Sequence, residues 1–320
     1  MTSLTVQKEH VADMAHAVQA DRQNYIGGSD VGAIFGINPW KSKYALWCEK
    51  TGKISGEIPD NDAMKTGRDL EEYVAKRFTE ATGKKVHRDN HRYTLKEYPF
   101  MVGHIDRRIV GENAILECKT ANSFQNSAYE SGKFPDHYYA QCQHYMAVTG
   151  ADRVYLGVLC FPHFYWTYYD RDEAEIEALI VAEAEFWDLV QTDTAPEVDG
   201  SESTEQAIMT RYADGGEEGV INLASDSEIS SSLLMIEEVK TQIKELKDIQ
   251  TAHENRIKDQ MGDNAEAIAN GWKISWKNQT RTIVDSKKLQ ESSPEIYQKC
   301  TKTSTSRVFR ITKTKNKETK

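Results

Sequence analysis

The sequence predicts an α/β protein: a mixed central sheet flanked by helices, followed by an extension of one long helix and short strands. Three observations carry that expectation. Helical and strand patterns are interleaved from residue 26 to residue 191. Residues 100–110 and 114–120 read as two strands of a hairpin across the turn signal Gly111-Glu112-Asn113. Near the C-terminus, Ile236, Val239, Ile243 and Leu246 repeat at helical spacing.

Taken in order, residues 26–36 read as a glycine turn entering a short helix, with Ser29 or Asp30 near the N-cap and Gly36 closing it. A second helix is expected from Ser42 to about Lys50. A third covers residues 67–82, where Leu70, Tyr73, Val74, Phe78 and Ala81 share a face. After the hairpin come a helix at 136–149, strands at 153–160 and 164–169, and a long acidic helix at 171–191. Residues 193–232 read as a connector packed along the core. The helix that follows has a polar middle at Gln250 and His253, and it can either pair as a coiled coil or pack on its own C-terminal strands. Those strands are expected at Trp272 to Trp276 and Arg307 to Ile311, around a turn or helix start at Ser292 to Glu295. The resulting division is a core over 1–200, a connector over 201–232 and a C-terminal accessory region over 233–320.

Composition limits the classes of function. Charged residues are 28% of the 320, and no apolar run reaches membrane-spanning length. Residues 1–20 show no signal-peptide pattern. Cys48, Cys118, Cys142, Cys160 and Cys300 are scattered with no CxxC pair, which argues against a zinc site or disulfide framework and fits a reducing cytoplasm. The net charge of −10 hides an asymmetry: residues 271–320 hold 13 Lys and Arg against 4 Asp and Glu. That basic segment suits phosphate contacts, or is a solvated terminus.

The chemistry centres on Asp106 and on Ile115-Leu116-Glu117-Cys118-Lys119. Strand alternation turns Glu117 and Lys119 to one face and Leu116 and Cys118 to the other. Two carboxylates and an ammonium at strand ends are what metal-assisted phosphodiester hydrolysis needs; the plain alternative is a solvated strand pair. On the helix at 67–82, Glu71 lies on the rim of the apolar face and Glu72 points away, so Glu71 can reach a site at the core's edge or be an exposed carboxylate of the first turn. On the helix at 136–149, Gln141 borders the buried face and Gln143 is expected to face solvent. Gln141 can hold a water or phosphate, or satisfy backbone groups. Ser29 and Arg22 could bind an anion together, or be an N-cap serine and a surface arginine. The dispersed histidines His87, His91, His104, His137, His144 and His163 read as structural or exposed.

In order, Arg22, Ile26-Gly-Gly-Ser29-Asp30, Gly67-Arg-Asp-Leu-Glu71, Gly103-His-Ile-Asp106, Glu117-Cys-Lys119 and Ala140-Gln141-Cys-Gln143 resemble the YqaJ-like viral recombinase family. These are phage-type nucleases related to lambda exonuclease within the PD-(D/E)xK superfamily, and the match covers roughly residues 21–200. The resemblance implies a restriction-endonuclease-like core and a Mg²⁺-dependent exonuclease, with Mn²⁺ as a substitute, that degrades the 5′ strand of linear duplex DNA and leaves 3′ single strands for an annealing protein. It implies Asp106, Glu117 and the Cys118 backbone carbonyl as metal ligands, Glu71 at a second metal and Lys119 acting on the nucleophilic water. It further implies that Gln141 positions water or phosphate, and that Arg22 and Ser29 receive the terminal 5′-phosphate. A trimeric ring is implied by likeness alone. Location follows as cytoplasmic, in the bacterial host if the chain is phage-encoded. Relatives with an iron–sulfur cluster need four cysteines around the core, and only Cys300 follows Cys160, so no such cluster is expected. The alternatives are a structure- or site-selective endonuclease, and an inactive DNA-binding recombination scaffold.

Overall fold

A computed structural model describes residues 4–10, 22–56, 61–215, 219–303 and 306–313. Part of the segment read for a targeting signal, and residues 314–320 of the basic tail, lie outside them. Two compact units divide the chain, Met1–Ala213 and Asp214–Lys320.

The first unit begins with β1 (Val6–His10) and β2 (Ile26–Gly27), which leads directly into helix α1 (Gly28–Ile34). Helices α2 (Lys43–Lys50) and α3 (Asp62–Thr82) follow, then strands β3 (Val86–Arg88), β4 (His91–Leu95), β5 (Met101–His104), β6 (Arg107–Ile109) and β7 (Ala114–Ala121). After a short helix α4 (Asn126–Glu130) come α5 (Asp136–Thr149), β8 (Arg153–Cys160), β9 (His163–Asp170), α6 (Glu173–Gln191) and α7 (Glu202–Arg211). The strands form two mixed sheets flanked by helices, in the orders β1-β4-β5-β2 and β3-β6-β7-β8-β9. The α/β class read from the sequence holds.

The expected strand over 100–110 is instead two strands. It breaks at Ile105 and Asp106, so that β5 joins the first sheet and β6 the second. Beyond the break β6 pairs with β7 as the hairpin requires, Arg107 opposite Leu116 and Arg108 opposite Ile115. The break is held from both sides: the Cys118 N–H donates to Asp106 Oδ2 at 2.8 Å, and Arg107 Nη1 donates to the Asp106 carbonyl at 2.7 Å. An acid thus stands at the seam between two sheets.

Helix α5 departs furthest from its sequence reading. Every residue from Ala140 to Thr149 is buried, so the helix has no solvent face. Gln143, expected outside, is 2% exposed and donates from Nε2 to the Tyr139 hydroxyl at 2.9 Å. Its neighbour His144 is fully buried; Nδ1 meets Glu183 of α6 at 2.8 Å and Nε2 meets the Val102 carbonyl at 3.0 Å. That pair ties α5 to α6 and β5, a structural role as expected of this histidine. Both His144 ring nitrogens are satisfied, while Glu183 Oε2 and Gln143 Oε1 are buried without a partner.

Part of the segment read as connector is the helix α7, whose Thr204 hydroxyl donates to Ser42 Oγ at 2.7 Å and whose Arg211 reaches the Tyr44 hydroxyl at 2.8 Å. The second unit holds α8 (Ser227–Met261), β10 (Glu266–Ala269) paired with β11 (Trp272–Ser275), α9 (Ser286–Ser292) and α10 (Pro294–Cys300). Residues 307–311 form no strand, and Val308 and Phe309 stay exposed. Among the described residues no helix is long and apolar enough to cross a membrane.

Candidate active site

Strand β7 presents its faces as the alternation requires. Leu116 and Cys118 join the cluster of Ala75 and Phe78 from α3, while Glu117 and Lys119 turn toward α5. Glu117 is only 4% exposed. Its Oε1 accepts from Gln141 Nε2 at 2.9 Å and from Lys119 Nζ at 2.7 Å. Its Oε2 is buried with no hydrogen-bond partner. A buried carboxylate oxygen left bare costs free energy unless something else binds it.

Asp106 completes the centre. Burial, then the charges of Glu117 and Glu71, push its carboxyl well above the usual carboxylate range. Burial opposes the Lys119 ammonium, but Glu117 and Asp106 outweigh that and hold it above the ordinary lysine range. The Lys119 Nζ also lies 5.3 Å from the centre of the Tyr138 ring. Crowded acids, one bare oxygen and a charged lysine form a site short of positive charge, which a divalent cation fits. Among the described residues no group of three or more His, Cys, Asp or Glu side chains is placed to hold a metal ion. A set of two carboxylates, with backbone oxygen and water making up the rest, suits Mg²⁺, which keeps several waters.

Glu71 is near this centre but not in it. Its carboxylate pairs with Arg107, whose Nη2 also reaches Glu72 Oε2 at 3.0 Å. Glu72 does point outward, yet Arg107 and Arg88 both hold it. Arg107 was not singled out by the sequence, because an arginine in a short strand carries no pattern of its own.

The Arg22 and Ser29 pair also comes together: Arg22 Nη2 donates to Ser29 Oγ at 2.8 Å and stands 3.5 Å from Asp30. The helix starts at the glycine turn, with Ser29 and Asp30 near the N-cap as expected. Its N-cap is Gly27, whose N–H donates to Asp30 Oδ2 at 3.1 Å, and Ser29 lies within the first turn with its hydroxyl turned to Arg22. Lys50, buried at the end of α2, donates to Asp30 Oδ2 at 2.8 Å and to the Arg22 and Tyr25 carbonyls. Burial works against the Asp30 charge, but Lys50 and Arg22 bring its carboxyl down to about 2. Lys50 therefore pins the Arg22 turn, a role that no spacing announced.

Gly28 links this turn to the carboxylates. A Cβ there would lie 2.7 Å from a Tyr145 ring carbon and 3.1 Å from Gln141 Cγ, and Tyr145 and Glu117 share the Gln141 amide. Gly28→Ala is expected to push the ring aside, costing about 1–3 kcal/mol in stability and loosening Gln141 from Glu117. Denaturant unfolding reads the first effect and nuclease assay the second; an unaltered midpoint would mean that the helix moves freely.

A model of the YqaJ-like viral recombinase domain matches residues 18–152. The uncharacterized protein YqaJ of Bacillus subtilis (strain 168) is 36% identical over 296 residues, 91% of this chain and 92% of that one. The chain belongs to the YqaJ-like viral recombinase family. Solved structures similar to it include an alkaline exonuclease from Laribacter hongkongensis, at 20% identity and TM-score 0.46 over 55% of this chain and 92% of that one. Another is a phage-related exonuclease from Haemophilus somnus 129PT, at 16% identity and TM-score 0.42 over 53% and 96%.

Proposed function

We propose that this chain is a divalent-metal-dependent DNA exonuclease that degrades the 5′ strand of linear duplex DNA and leaves 3′ single strands for an annealing protein. The observation that carries the reading is the bare, buried Oε2 of Glu117 beside Asp106 and Lys119. Asp106 and Glu117, with the Cys118 carbonyl, would hold Mg²⁺, and Glu71 a second ion once released from Arg107. When bound, the metal polarises the phosphoryl oxygens and activates water. Lys119, an ammonium held by Glu117, orients that water and balances charge at the phosphate. Gln141 fixes the Glu117 carboxylate from α5. Arg22 and Ser29 receive the terminal 5′-phosphate, a dianion that a guanidinium prefers to an internal diester.

The test is digestion of linear duplex with Mg²⁺, using covalently closed circles as control and 5′-phosphoryl and 5′-hydroxyl ends in parallel. Linear DNA is expected to be consumed, phosphorylated ends faster, and Arg22→Ala to lose about tenfold of that preference, the worth of one charge-assisted hydrogen bond. Cutting of closed circles with no end preference would overturn end recognition and favour an endonuclease.

A further inference from the structure

Trp40 is 67% exposed, yet its loop is rigid. Asn38 Oδ1 accepts from the N–H groups of Trp40 and Lys41 at 2.9 and 3.1 Å, Pro39 fixes the backbone between them, and Ser42 caps α2 through the Ala45 N–H. Gly32 brings this loop to the start of α5, since a Cβ there would stand 2.8 Å from that of His137.

A path of rings then leads inward. The Trp40 indole meets His137 edge-on with centroids 5.3 Å apart, His137 meets Tyr138 at 4.4 Å, and the Tyr138 ring lies 5.3 Å from Lys119 Nζ. Three such steps bound the separation of indole and ammonium, a distance that a strand covers in a few nucleotides. Along this path the His137 Nε2 is buried and has no hydrogen-bond partner. The same loop edges a cavity of about 490 Å³, where Trp40 and the Lys41–Glu49 ion pair stand beside Asp199 and Glu202. Phe35 and Ile37 are also exposed, but neither joins a ring contact among the described residues.

We propose that Trp40 is a stacking platform for a nucleobase of the strand entering the Asp106–Glu117–Lys119 centre. The proposal rests on the nuclease reading and adds a base-binding contact to it. A planar indole on an ordered loop pays little entropy on stacking, and stacking tolerates every base because each has a π-face.

The experiment measures equilibrium binding, with Ca²⁺ in place of Mg²⁺ so that the carboxylates are neutralised and little is cut, to 5′-phosphorylated duplexes in which each of the first three nucleotides of the 5′ strand is made abasic in turn. In the parent, one abasic position is expected to weaken binding at least about fivefold. Trp40→Ala should bind that duplex and the intact one alike, while Trp40→Phe keeps most of the discrimination. The salt dependence should be the same in all three, because stacking releases no counterions. Trp40→Ala that is folded and as sensitive to the missing base as the parent would overturn the platform alone. A parent that binds no duplex overturns the nuclease reading on which it rests.

Discussion

Asp106→Asn, Glu117→Gln and Lys119→Met should each lower metal-dependent digestion of linear duplex DNA by several orders of magnitude, because each removes a charge that the other two are arranged around. The fold should survive. Asp106→Asn can still accept from the Cys118 N–H through its amide oxygen, and in metal-free protein it relieves repulsion by Glu117 and Glu71. The sign can be worked out: the folded-state value of Asp106 is raised, so its contribution favours the folded state fully below the unfolded carboxylate value, and that contribution is lost as pH rises through the folded one. Thermal melts of the chelated parent should therefore fall as pH rises from about 4 toward neutrality, and Asp106→Asn should flatten that part of the slope. Added Mg²⁺ should stabilise the parent and not the variant. Near-parental turnover in Asp106→Asn or Glu117→Gln would remove both residues from the chemistry.

Much of this centre was legible because β7 is a strand with period two. Once residues 114–120 are read as a strand, Glu117 and Lys119 must share a face, and in the structure they share one carboxylate oxygen's worth of contact. Gln141 was equally legible as a border residue, and it reaches Glu117. Gln143 misled for a physical reason. A helix packed between two sheets and two other helices has no solvent side, and periodicity assigns an outside to any polar residue. The break at Asp106 was invisible for a different reason: Phe100 to Val110 is apolar with interruptions, a pattern that one strand or two fit equally, and only the pairing of β5 and β6 in different sheets, with the Cys118 and Arg107 hydrogen bonds at the break, reveals that the chain changes sheet there. At Arg307 to Ile311 alternation was present but no strand forms there, and a strand is a property of two segments, not of one.

The second large effect is expected at Arg107, whose side chain is 3% exposed. Its guanidinium joins three things that must be in register for the centre to form: Glu71 and Glu72 on α3, and the Asp106 carbonyl at the break between sheets. Arg107→Met keeps the length and the apolar stem but leaves Glu71 without its cation. Removing one partner of a buried pair typically costs 3–5 kcal/mol, and the partly wet Glu71 and Glu72 put the expected loss near the lower end, at roughly 3 kcal/mol. Denaturant unfolding measures this, with an unchanged slope showing that only stability has moved. The double variant with Glu71→Gln separates the causes: if the cost arises from the stranded carboxylate, the second substitution recovers part of it, and if it arises from lost packing or from the Asp106 carbonyl, the two losses add. Function should shift in a distinct way. With Glu71 already released from its cation, folded Arg107→Met should need less Mg²⁺ for half-maximal cleavage. A variant with parental stability and parental metal requirement would show that α3 is held to the carboxylate centre by packing alone.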